Sequence, residues 1–136
     1  MYELFEHTAD LGLRVRAAEL DQVLEEAARA MFSVIVANLD EVRPVQSIVF
    51  RLSADCLENL LRDWLGELLY TFDTRRLLFS QFSVCVHDLA LEATARGEPI
   101  DPAWHRLGME IKAVTYHALR LDRVDDGWLA EVIVDI

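Results

Sequence analysis

Two stretches of the chain repeat apolar residues at helical spacing. From Leu20 to Ile35 they are Leu20, Val23, Leu24, Ala27, Ala28, Met31, Phe32 and Ile35. This three-and-four rhythm predicts an amphipathic helix with one broad apolar face. Residues 54–72 repeat the rhythm with larger side chains: Leu57, Leu60, Leu61, Trp64, Leu65, Leu68, Leu69 and Phe72. Ser53 stands where a hydroxyl would cap this second helix, and Asp55 where the helix dipole favours an anion. The first helix has two candidate caps, Glu19 and Asp21, and the pattern does not choose between them. Pro44 ends any helical continuation and points into the next strand.

Elsewhere the period is two. Leu11, Leu13 and Val15 alternate with Gly12, Arg14 and Arg16, and Ile48, Phe50 and Leu52 repeat the alternation before the second helix. Residues 77–86 and 89–95 read as a hairpin turning about His87-Asp88. A loop with Gly97, Pro99 and Pro102 leads to one long strand over residues 107–121. Asp125-Asp126-Gly127 then turns the chain into a last strand over residues 128–134. The order predicts an α+β class: two amphipathic helices packed on a largely antiparallel β-sheet, in a single domain over residues 1–136.

Composition narrows the function. With 53% hydrophobic residues, 5 Gly and 3 Pro, disorder and low-complexity segments are not expected. The net charge of −11 repels phosphate backbones, so direct nucleic-acid binding is not expected, whereas a basic protein surface would be attracted. The first residues carry no basic segment followed by an apolar one, and no run approaches the roughly 20 apolar residues of a membrane span. A cytoplasmic setting without membrane contact follows as the expectation. Cys56 and Cys85 fit neither metal nor redox spacing and read as two buried free thiols. Lys112 is the only lysine; every other basic residue is arginine. Gly-rich phosphate loops, nucleophile elbows, zinc spacings and basic–aromatic stripes are absent from the sequence.

Three clusters are candidates for chemistry. His7-Thr8-Ala9-Asp10 precedes a strand and suits either a turn or a cation and proton site. In Glu110-Ile111-Lys112-Ala113-Val114-Thr115-Tyr116-His117, strict alternation places Lys112 and His117 on opposite faces, though a bulge would change that parity. A buried Lys112 would need a partner, so it is either exposed or facing an anion. Finally, Asp135 and the α-carboxylate of Ile136 bring hard oxygens together. They would suit Ca²⁺ or Mg²⁺ if this end is tied down, with Asp10 adding more if first and last strands are neighbours.

In these clusters the chain resembles the archease family, small proteins that activate the RtcB-type RNA ligase. The resemblance runs end to end. It covers His7-Thr8-Ala9-Asp10-Leu11-Gly12, Ala27-Ala28-Arg29-Ala30-Met31-Phe32, Asp63-Trp64-Leu65-Gly66-Glu67-Leu68-Leu69-Tyr70 and Phe72-Asp73-Thr74. It continues through the octapeptide from Glu110 to His117, Gly127-Trp128 and Val134-Asp135-Ile136. The octapeptide is the most specific segment, since no general structural rule demands it. The resemblance implies a non-enzymatic activator that promotes GTP-dependent guanylylation of the ligase and its multiple turnover in tRNA splicing and RNA repair. It also implies a divalent cation, Ca²⁺ with Mg²⁺ or Mn²⁺ as alternatives, held by Asp10, Asp135 and the main-chain or terminal oxygens of Ile136. Lys112, His7 and His117 stand in the same motifs as further functional positions. GTP and tRNA would be met only through the ligase.

The chain departs from the family pattern at a few places. Arg75-Arg76 replace a common acidic residue and glycine, Ala118 replaces a frequent glycine, and Glu19 a common hydroxyl cap. Two other function classes compete, the first with the same carboxylates. One is a metal-dependent hydrolase with His7 or His117 as general base. The other is a chaperone-like modulator of another RNA-processing enzyme, such as a tRNA methyltransferase.

Overall fold

The helical rhythm of the first segment is realised without adjustment: α1 spans Leu20–Ile35 and buries Val23, Leu24, Ala27, Met31 and Phe32 completely. The computed structural model describes residues 1–7 and 10–136, Glu6 and His7 by their backbone alone. Glu19 is the N-cap of α1, and its N–H donates to the Gln22 side chain at 3.2 Å. Asp21 has a different task. Its carboxylate accepts the Val86 N–H at 2.9 Å, and Glu25 accepts the Val84 N–H at 2.8 Å. Two acidic side chains of α1 thus cap backbone donors on the outer edge of a strand that would otherwise be open to pairing.

The second helix, α2, spans Leu57–Arg75 and starts later than its pattern predicts, with Cys56 as N-cap. Ser53 is not a cap because its backbone is already used as a rung of β3 (Gln46–Ser53), opposite Ala90. At the other end Arg75 and Arg76 supply the expected C-terminal charge, and the Arg76 N–H donates to the Phe72 carbonyl at 2.9 Å.

The strands divide between two antiparallel sheets where one was expected. The smaller sheet orders β3, β5 (Ala90–Pro99) and β4 (Leu77–His87), the last two forming the expected hairpin. Its turn falls at Asp88-Leu89, one residue later than read from sequence, with Asp88 at φ 55°. The larger sheet runs β1 (Tyr2–His7), β2 (Asp10–Ala17), β8 (Gly127–Asp135), β6 (Ala113–Val114), with β7 (Arg120–Val124) also on β8. Sequence pattern did not reveal β1: Leu4 stays 44% exposed while Phe5 packs over the opposite face, so no clean alternation marks it.

The long strand expected over residues 107–121 is broken into β6 and β7. Between them residues 115–119 loop out opposite Val132 and Ile133. Thr115 anchors the loop by donating from N and Oγ1 to the Ile133 carbonyl, at 3.0 and 2.8 Å. Upstream, Gly108 and Met109 donate to the carbonyls of Ile35 and Val34, both at 2.8 Å. These are last-turn carbonyls of α1 that have no partner within the helix. A side chain at 108 would run into the Val34 carbonyl, so glycine is required there. Ile111 and Val114 are both buried, and this spacing of three ends the strict alternation.

α1 packs on both sheets, and α2 packs on α1 and on β3, β4 and β6. Their shared core centres on Trp64, Phe32 and Phe79, all fully buried. Of the cysteines, both are free, but Cys85 is exposed and Cys56 half-buried, against the expectation of two buried thiols. Cys85 follows the buried Val84 on β4, so the strand's alternation turns it to solvent.

Candidate functional site

The end of β8 lies in the interior of the larger sheet, with β2 on one side and β6 on the other. Asp135 is the register partner of Asp10 across β2 and of Ala113 across β6. Directly opposed residues of an antiparallel pair project to the same face, with Cβ atoms about 4.5–5.5 Å apart. Leu11, Leu13, Val132 and Val134 occupy the core-facing positions, so the two carboxylates stand side by side on the other face. Both residues are half-buried. The Lys112 N–H donates to the Asp135 carbonyl at 2.7 Å, which ties the exposed lysine to the same corner.

The adjacent row explains Gly12. The Phe5 ring lies across it so closely that any Cβ would overlap the ring, and the Arg14 guanidinium stacks over Phe5 at 4.4 Å. Ile136 packs partly buried against the core, so this end of the chain is tied down.

Comparison with known proteins decides the relationship. The profile of the archease protein family (MTH1598/TM1083) matches residues 2–136. The chain belongs to the archease family. The protein called archease in Methanopyrus kandleri is 40% identical over 141 residues, covering 99% of each chain. That of Methanosarcina acetivorans is 41% identical, covering 99% of this chain and 95% of the other. The solution structure of Methanobacterium thermoautotrophicum protein 1598 superposes with a TM-score of 0.88 at 36% identity, over 99% of this chain and 98% of that one. A Thermotoga maritima crystal structure, described as an archease and "possible chaperone", shares the archease fold at TM-score 0.68 and 20% identity, over 100% of this chain and 98% of that one.

Three of the archease motifs meet as far as the described residues reach. Asp10, Asp135 and Lys112 come together; the His7 backbone is the register partner of Asp10, while its side chain, like Thr8 and Ala9, lies outside the described residues. His117 lies in the loop between β6 and β7, its N–H on Thr115 Oγ1 at 3.2 Å. The donor set fits a hard cation, since both side chains offer only oxygen. Among the described residues no three His, Cys, Asp or Glu side chains converge on a metal position.

Two departures from the family pattern share one backbone property. Arg76 and Ala118, both where glycine is common, sit at φ 53° and 51° in the left-handed region. The guanidinium of Arg76 stacks on Phe72 at 4.6 Å, whereas Ala118 is exposed. Ala118→Gly is therefore expected to stabilise the fold by about 0.5–1 kcal/mol, read from urea unfolding.

One buried cluster, at the end of the smaller sheet, escaped sequence reading. Glu98 is 4% exposed and accepts from the Arg43 N–H at 2.7 Å, from Arg43 Nε at 3.0 Å and from His105 Nε2 at 3.0 Å. The Asp101 N–H donates to His105 Nδ1 at 2.9 Å, so the ring proton sits on Nε2 and points at Glu98. This clamp fixes the loop that carries the chain into Gly108 and Lys112. Glu98 lies at the end of β5 and His105 seven residues on in the loop that follows, so no shared periodicity announces the pair.

Burial opposes ionisation of Glu98, but the Arg43 side chain and N–H, with His105, prevail and hold its carboxyl at about 2. The stability this supplies is complete above about pH 4.5, the ordinary carboxyl value, and is lost as pH falls through about 2. Glu98→Gln should flatten the acid limb of the stability profile over that window and cost about 2–4 kcal/mol at pH 7. Denaturant unfolding at several pH values measures both.

Proposed function

We propose that this protein is a non-enzymatic activator of an RtcB-type RNA ligase, promoting guanylylation of the ligase by GTP and its repeated turnover in tRNA splicing and RNA repair. The observation that carries the reading is the register pairing of Asp10 with Asp135, with Lys112 hydrogen-bonded to the same residue. Three motif segments far apart in sequence thereby build one outward-facing patch. Transfer of a nucleotidyl group depends mainly on positioning and on neutralising phosphate charge. Lys112 carries a mobile point charge suited to a phosphate oxygen. Asp10 and Asp135, with main-chain oxygens of Ile136, would hold a divalent cation: Ca²⁺ in this reading, Mg²⁺ or Mn²⁺ as alternatives. Such a cation supplies charge neutralisation at a triphosphate.

GTP and RNA are met only through the ligase, in the cytoplasm. A net charge of −11 disfavours direct contact with nucleic acid and favours encounter with a basic protein surface. No helix among the described residues is long and apolar enough to cross a membrane. The test is reconstitution: cognate ligase at limiting concentration with GTP and a divalent metal, with and without this protein. Guanylylated ligase should accumulate faster when it is present, and equal rates overturn the reading. The description "possible chaperone" given to the Thermotoga relative motivates the competing reading, a chaperone-like modulator of another RNA-processing enzyme. That reading expects Asp135→Asn to protect its client as well as the natural protein does.

A further inference from the structure

The Asp63–Tyr70 motif has no role in the patch just described, yet its exposed side chains lie beside it. Asp63, Glu67, Tyr70 and Asp73 of α2 line a groove of about 390 Å³ whose far wall is Ala113-Val114, the strand that pairs with Asp135. Asp73 also lines a second groove of about 380 Å³, whose other wall includes Leu107, Met109 and Glu110. The two grooves therefore flank the segment that carries Lys112.

Large apolar side chains are exposed along this belt: Tyr70 is 65%, Tyr116 60%, Met109 53% and Leu107 52% accessible. Tyr116 is held in place by the Arg62 guanidinium, 4.6 Å above its ring. Four carboxylates, Asp63, Glu67, Asp73 and Glu110, surround these anchors. Two guanidiniums line the same grooves, Arg62 against Tyr116 and Asp63 and Arg76 against Phe72, so the lining keeps a net excess of two carboxylates. Apolar anchors inside an anionic rim match the anatomy of a protein–protein interface, with the charge selecting the partner.

We infer that this belt is the docking surface for the basic, polyanion-binding face of the ligase, with Tyr70 and Met109 as its anchors. The inference rests on the function proposed above. It divides the molecule's labour: the belt holds the partner, and the Asp10–Asp135–Lys112 corner acts on the partner's nucleotide site. Complementarity of charge supports this occupant, because a face that binds GTP and RNA is positively charged and the belt is negative. Continuity supports it too, since the groove wall Ala113 is the register partner of Asp135.

The test is equilibrium binding of purified cognate ligase to the natural protein and to the Tyr70→Ser, Met109→Ser and Val49→Ser variants. Val49 is 51% exposed on the separate smaller sheet and serves as control. Both belt variants should bind about 10-fold more weakly or worse, Val49→Ser should bind normally, and added salt should weaken every complex. Divalent-cation affinity should be unchanged in all three, and circular dichroism confirms folding. Unaltered ligase affinity in both belt variants overturns the docking surface and leaves the activator reading standing. A natural protein that does not bind the ligase at all overturns both.

Discussion

Asp135→Asn is expected to weaken divalent-cation binding by about 10–100-fold or more while leaving the unfolding free energy within about 0.5 kcal/mol. The substitution keeps the shape of the side chain and removes the charge that stands in register with Asp10. Main-chain bonds at this position, including the one from Lys112 to the carbonyl, do not depend on the carboxylate. Titration calorimetry with Ca²⁺ and Mn²⁺, beside urea unfolding, separates the two effects. A stability loss above about 1 kcal/mol with unchanged cation affinity would make Asp135 a structural residue. Lys112→Ala divides differently. Removing a like charge leaves cation binding intact, and the loss falls on ligase activation alone.

The largest expected loss of stability comes from the shared core. Trp64→Ala should cost about 3–5 kcal/mol and lower Tm by about 10–20 °C, followed by calorimetry or circular dichroism. Trp64 is fully buried, packs edge-on against Phe50 at 5.6 Å and Phe82 at 6.3 Å, and donates its indole N–H to the Leu24 carbonyl at 3.0 Å. It therefore joins α2, α1 and the smaller sheet in one contact. Alanine would leave a cavity that several rigid aromatic neighbours cannot collapse into. Trp64→Phe should cost only about 1–2 kcal/mol, because it keeps most of the volume and gives up the hydrogen bond.

The parts legible in the sequence were those governed by local periodicity. α1 appears over Leu20–Ile35 as its apolar rhythm predicts, and the strand partners Leu11, Leu13 and Val15 face the core. What local pattern could not supply was partnership. Ser53 looked like a cap until the sheet claimed its backbone, and Asp21 looked like a cap while its carboxylate was committed to Val86. The segment from Leu107 to Val114 reads as a strand, but it serves two masters, the last carbonyls of α1 and the edge of β8. Division into two sheets follows from such long-range pairings and leaves no trace in periodicity. The neighbourhood of Asp10 and Asp135 was legible only as a condition, that first and last strands lie together, and the register of β2 and β8 satisfies it. Glu98 and His105 carried no signal, since a buried charge is recognised only once its partners surround it.

In the proposed function, the corner formed by Asp10, Asp135 and Lys112 is what activates the ligase. Single-turnover guanylylation tests it most directly, using cognate ligase saturated in turn with the natural protein, Asp135→Asn and Lys112→Ala. All three should bind the ligase, and only the natural protein should raise the rate above that of ligase alone. Acceleration by both variants equal to that of the natural protein would contradict it.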